Sequence, residues 1–197
     1  MVLVLLMLSA QLPSGCDGGI LSSNSVVINE FMALPQSSCT EADGEWVELY
    51  NNTDEWINLS GWVLENSYGQ EISLSTYLLP PQGYFVMAAC GDETQNGGVA
   101  PNQVYSGFTV HENGSLILYN SARGIVDRID YDGSWPIQPG VSCERINPGW
   151  VSNSNSSWDY STLTFGLGDM GTPGGQNSVY QNSFAQNSWA FIKAFVQ

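Results

Sequence analysis

The chain has 197 residues, enough for one domain with a proper core and hardly enough for two. Hydrophobic residues make up 43% and aromatics 12%, so the composition is not that of a disordered chain. Four Lys and Arg stand against 19 Asp and Glu, a formal charge of −15, which excludes a phosphate-binding surface for nucleic acid and disfavours an anionic membrane face.

The chain begins "MVLVLLMLSAQLPSGCDGG". The apolar run from Val2 to Leu8, followed by small residues and Cys16, has the layout of a secretory signal, residues 1–16. Seven apolar residues are too few for a permanent membrane helix. "PSGC" resembles a lipoprotein lipobox, with Cys16 the lipidated residue, although Pro13 stands where Leu is usual and no Lys or Arg precedes the apolar run. The expectation is export to the cell surface or beyond, with membrane contact only through this lipid. Residues 17–25 read as a linker.

From Val26 onward, short runs rich in Val, Ile, Trp and Tyr alternate with Gly, Pro, Asn and Ser clusters. The runs are "VVINEF", "EWVELY", "GWVLEN", "QEISL", "GYFVMAA", "VYSGF", "SLILY", "GIVDRIDY" and "VSCER". "SARG" between two of them predicts a hairpin turn. About nine strands over ~150 residues make an all-β antiparallel sandwich. Residues 147–176 read as an irregular covering segment, with Trp150 and Trp158 as plugs. Residues 178–197 change character and form a tail with no assigned role.

Two acidic loops offer oxygen ligands to a hard cation. "DETQNGG" places Asp92, Thr94 and Asn96 at alternating positions, as in an EF-hand loop, but Gln103 stands where the bidentate Glu would be. "TEADGE" clusters Glu41, Asp43 and Glu45. Calcium is therefore the one cofactor the sequence suggests. Cys39 and Cys90 each end a strand-bearing stretch beside these loops, and in an oxidising compartment they are the expected disulfide, leaving Cys143 in an apolar strand position.

The ordered series "INEF", "EWVELYN", "NLSGWVL", "LPPQGYFV", "GIVDRIDY" and "TPGGQN" resembles the lamin tail domain of prokaryotic exported proteins. The resemblance spans residues 26–177 and implies an immunoglobulin-like sandwich. It also implies a non-catalytic module for attachment or interaction, engaging a protein or carbohydrate surface ligand. Where the family tends to have "SLER", this chain has "SCER".

No catalytic residues are assigned. Ser-His-Asp or Cys-His chemistry needs a histidine base, and the single histidine, His111, falls beside Glu112 at a predicted hairpin. A calcium-dependent carbohydrate- or protein-binding module is the alternative reading, and a hydrolase built on paired carboxylates is the third. Glu45 and Glu48 in "GEWVELYN" are the conspicuous pair. Strand alternation places Glu45 with Val47 and Leu49, and Glu48 with Trp46 and Tyr50. Glu45, at the strand's start, is expected to be wet. Glu48 is expected to be enclosed, with Arg145 of the "SCER" motif as its structural ion-pair partner, because Arg145 shares a face with inward-facing Cys143.

Overall fold

The computed structural model describes residues 25–182. The expected signal, Cys16 and the last residues of the tail lie outside them. Twelve strands follow in chain order: β1 (Val26–Met32), β2 (Trp46–Asn51), β3 (Ile57–Asn58), β4 (Val63–Asn66), β5 (Glu71–Ser73) and β6 (Leu78–Leu79), then β7 (Tyr84–Ala88), β8 (Gln103–Val104), β9 (Gly114–Tyr119), β10 (Ile125–Tyr131), β11 (Cys143–Arg145) and β12 (Trp158–Tyr160). Eight of the nine predicted runs contain a strand, "VYSGF" contributes only Val104 to β8, and β3, β6 and β12 are additional. "SARG" makes the β9–β10 turn, with Arg123 at φ 60°.

Six strands form one sheet in the order β12-β11-β1-β2-β7-β8, and four form a second in the order β10-β9-β4-β5. Strand pairs are antiparallel except β7 with β8. Between the sheets lies the main core. Val26, Ile28, Phe31, Val47, Leu49, Phe85 and Cys143 come from the large sheet, and Leu64, Leu116, Leu118, Ile129 and Tyr131 from the small one. Trp158 and Trp135 close one end, their rings 5.5 Å apart. Trp150 is half-buried and Trp56 is 60% exposed, so not every tryptophan serves the core.

The outer face of the large sheet is also covered. Met32, Trp46, Val86 and Ala88 form a second small cluster with Val99, capped by Phe165 edge-on to Trp46. Residues 161–182 run across this face as a strap. This is why every residue of β1 is buried, where an antiparallel strand with one wet face would alternate.

Two β-bulges position the polar interior. In β1 the register shifts between Ile28 and Glu30, so Asn29 and Glu30 both leave the main core while Ile28 and Phe31 stay in it. In β10 the register shifts between Ile125 and Asp127.

Candidate functional site

Ile28 is in register with Leu49 of β2 but lies beyond the β1–β11 register, which holds Glu30 and Phe31, and its buried backbone groups must be satisfied. Asp127 and Arg145 do this together. Asp127 Oδ2 accepts from the Ile28 N–H at 2.8 Å, and Arg145 Nη1 donates to the Ile28 carbonyl at 3.1 Å. The two side chains also pair with each other at 3.1 Å, both wholly buried. Arg145 Nη2 donates to Trp150 O and Ser152 Oγ, and the guanidinium lies 5.6 Å over the Trp158 ring. Burial holds the Arg145 pKa below the usual arginine range, opposed by Asp127.

The expected Glu48–Arg145 ion pair is therefore not formed. Arg145 does face inward with Cys143, as alternation required, but Glu48 lies on the opposite face of the same sheet, beside Trp46. The signal for the true partner was present: Asp127 alternates with Ile129 and Tyr131, both core residues.

Glu48 belongs to a different constellation. Its registered neighbour on β1 is Glu30, and the neighbour of Glu30 on β11 is Glu144. Three buried glutamates thus stand side by side across β2, β1 and β11 on the outer face. Like charges directly opposite are unfavourable in a sheet. The strap offsets this with donors. Thr172 N–H donates to Glu30 Oε1 at 2.8 Å, and Gly174 N–H to Glu48 Oε2 at 2.6 Å. Ser178 Oγ and the Val179 N–H donate to Glu144 Oε2 at 2.7 and 3.1 Å. Ser142 Oγ donates to Glu30 at 2.5 Å, and Asn29 Nδ2 to Glu48 at 2.8 Å. Burial and then Glu144 push the Glu30 pKa to about 8, and burial and then Glu30 push Glu48 well above the carboxylate range.

Glu45, expected to be wet, is 5% exposed. Its Oε2 accepts from the Val110 N–H at 2.7 Å, and burial raises its pKa to about 7. Sharing the inward face with Val47 and Leu49 outweighed its place at the strand's start.

The predicted calcium ligands are not brought into one cage. Asp92 Oδ1 accepts from the Thr94 N–H and hydroxyl, and Oδ2 from Gln95 Nε2. Buried Asn96 spends its amide on the Cys90 and Val99 carbonyls and its oxygen on the Gly98 and Val99 N–H groups. Glu41 and Asp43 sit on a single helical turn, Glu41–Gly44, where Thr40 Oγ1 caps the Asp43 N–H at 3.3 Å. Among the described residues no group of three His, Cys, Asp or Glu is placed to hold a metal ion. Cys39 and Cys90 border the same loop, through the Cys39 N–H to Gln95 O bond and the Asn96 bond to Cys90 O, but both are free thiols, so the expected disulfide is absent. The Cys90 sulfur instead accepts from the Asp92 N–H at 3.5 Å, turned into its own loop.

Beside the glutamate row a cleft of about 240 Å³ opens on the outer face. Tyr50 and Tyr84 form one wall as registered neighbours of β2 and β7, their ring centroids 5.0 Å apart. Tyr180 and Gln176 of the strap form the other, and Asn29, Asn147 and Asn177 lie along the floor. Asn29 Nδ2 donates to Asn177 Oδ1 at 2.6 Å, and Asn177 Nδ2 to the carbonyls of Asn29 and Arg145. The sequence reading missed this cleft. The bulge at Asn29 and the return of residues 176–180 make it, and neither leaves a local pattern.

The model of the lamin tail domain matches residues 21–133, more than half of the chain. The chain belongs to the lamin tail domain family. No curated protein matches it. The lamin tail domain is an immunoglobulin-like, non-enzymatic domain, in agreement with the two packed sheets. The match covers β1 to β10, while β11, β12 and the strap lie beyond it and complete the large sheet and its cover. Residues 178–182, expected to be the start of a separate tail, are fastened to this lamin tail domain through Glu144 and the Gln181 N–H to Ile146 O bond.

Proposed function

We propose that this lamin tail domain protein is a non-catalytic, exported module for interaction or attachment at a cell surface, engaging a protein or carbohydrate ligand. The observation that carries the reading is the state of its buried carboxylates. Glu30, Glu48, Glu144, Asp127 and Glu45 all accept hydrogen bonds from the chain's own donors, which is what structural carboxylates do. His111 stacks on Tyr68 at 4.1 Å, and its Nε2 has no hydrogen-bond partner among the described residues, so no hydroxyl or thiol is set for it to deprotonate. Among the described residues no helix is long and apolar enough to cross a membrane, and the lipid on Cys16 is the proposed anchor.

The test is expression of the full chain with fractionation and metabolic labelling by a fatty acid. Label that depends on Cys16, and a product reached by external protease, support the reading. Turnover of a polysaccharide or phosphodiester that is lost in a stably folded Glu48→Gln protein would overturn it.

A further inference from the structure

We infer that the tyrosine-walled cleft binds a single neutral sugar ring through its hydroxyls, without a metal ion. This rests on the reading of the chain as an interaction module and names the ligand class of that module. The volume of 240 Å³ falls below the ~300 Å³ at which drug-sized pockets begin, and suits one small ring.

The lining is uncharged apart from Arg145, whose two terminal nitrogens are occupied by Ile28 O, Asp127, Trp150 O and Ser152 Oγ. The Arg145 Nε has no hydrogen-bond partner but is buried, so an anion would meet a guanidinium already paired with Asp127 and would lie beside Glu48 and Glu30. A cation would need aromatic faces arranged around it. Tyr50 and Tyr84 turn one face of each ring on the other, tilted by 39°. What the walls offer is a hydrophobic ring body ending in a hydroxyl, together with amides, the combination that matches a sugar's C–H faces and O–H edges.

Several of these groups are open. Tyr84 Oη, Tyr180 Oη and the Gln176 amide make no hydrogen bond to the described residues. The groups around them are fixed. Tyr50 Oη bonds Gln82 Oε1, Gln82 is held at φ 55° and donates to Thr53 O at 3.1 Å, and Asn29 is locked by Glu48 and Asn177. A site whose amides are already oriented loses less entropy on binding.

The experiment is a titration of the isotope-labelled full chain, followed by amide NMR, with glucose, N-acetylglucosamine and their β-1,4-linked trimers. Choline chloride and sodium glucuronate serve as the charged comparisons. Saturating shifts at Asn29, Tyr50, Tyr84 and Gln176 with a neutral sugar are expected. They should be weakened about ten-fold in each of Tyr84→Phe and Gln176→Ala, the equivalent of one neutral hydrogen bond. Both variants keep the rings or lie at the exposed rim, so the rest of the spectrum should not move. No shift with any neutral sugar, shifts with choline or glucuronate alone, or parent-like binding by both variants would each overturn the assignment. If the chain and both variants adhere equally to purified cell envelopes, the module reading stands and the cleft is not its ligand site.

Discussion

Glu30→Gln is the substitution that most directly tests why the strap stays down. Glu30 is fully buried between Glu48 and Glu144, and its pKa is raised from 4.5 to about 8. Between those values the folded state holds a proton that the unfolded state has released, so stability must fall as pH rises. The contribution is complete below pH 4.5 and gone above about 8. At 1.36 kcal/mol per pKa unit, moving one carboxyl that far costs on the order of 5 kcal/mol at high pH. A glutamine keeps an oxygen for Ser142 and the Thr172 N–H and carries no charge. The variant should therefore lie within about 1 kcal/mol of the parent near pH 5 and exceed it by about 3–5 kcal/mol at pH 8.5. Urea denaturation followed by tryptophan fluorescence at pH 5, 6.5 and 8.5 measures this, with an unchanged m-value confirming the same unfolding transition. General self-repulsion from the acidic surface acts on both proteins and cancels in their difference. Parallel stability-versus-pH curves for parent and variant would refute the reasoning.

A double-mutant cycle on Asp127→Asn and Arg145→Met should show strong coupling, with each single change costing ~3–5 kcal/mol by denaturation, while Glu48→Gln and Arg145→Met should show no direct charge-pair coupling. Gly174→Ala should cost roughly 1–2 kcal/mol in chemical denaturation purely through the backbone, because Gly174 sits at φ +83° with nothing within 4 Å of an added Cβ. Millimolar calcium against EGTA should leave the melting temperature unchanged, since the Asp92 and Asn96 oxygens are taken; a rise of several degrees would make the 92–96 loop a cation site after all.

Strand positions and the facing of most side chains were legible because alternation is a local property of extended backbone. The shared face of Val47 and Leu49, the shared face of Cys143 and Arg145 and the "SARG" hairpin all follow from it, but which face of β2 looks into the core does not: the expected Glu48–Arg145 pair turned that strand the wrong way round. Glu45 misled because position at a strand end was weighed above the face it shares with Val47. The acidic loops are ambiguous in sequence because Asp, Asn and Thr oxygens at alternating positions serve a tight turn as readily as a cation.

The sequence by itself determined an all-β sandwich and an arginine that shares the inward face of Cys143. Only the tertiary structure decided which carboxylate meets Arg145 and which meets the strap. Asp127 and Arg145, each about a hundred residues or more from Ile28 in the chain, must both reach its backbone, and no local pattern reports that. The strap, more than a hundred residues from β1 and β2, turns an outer face into an interior. Glu48 is enclosed as its place between Trp46 and Tyr50 led one to expect, but by the strap on the outer face, and Glu30 and Glu144 are buried beside it, because a polar residue at an outward position no longer reports contact with water once that face is covered.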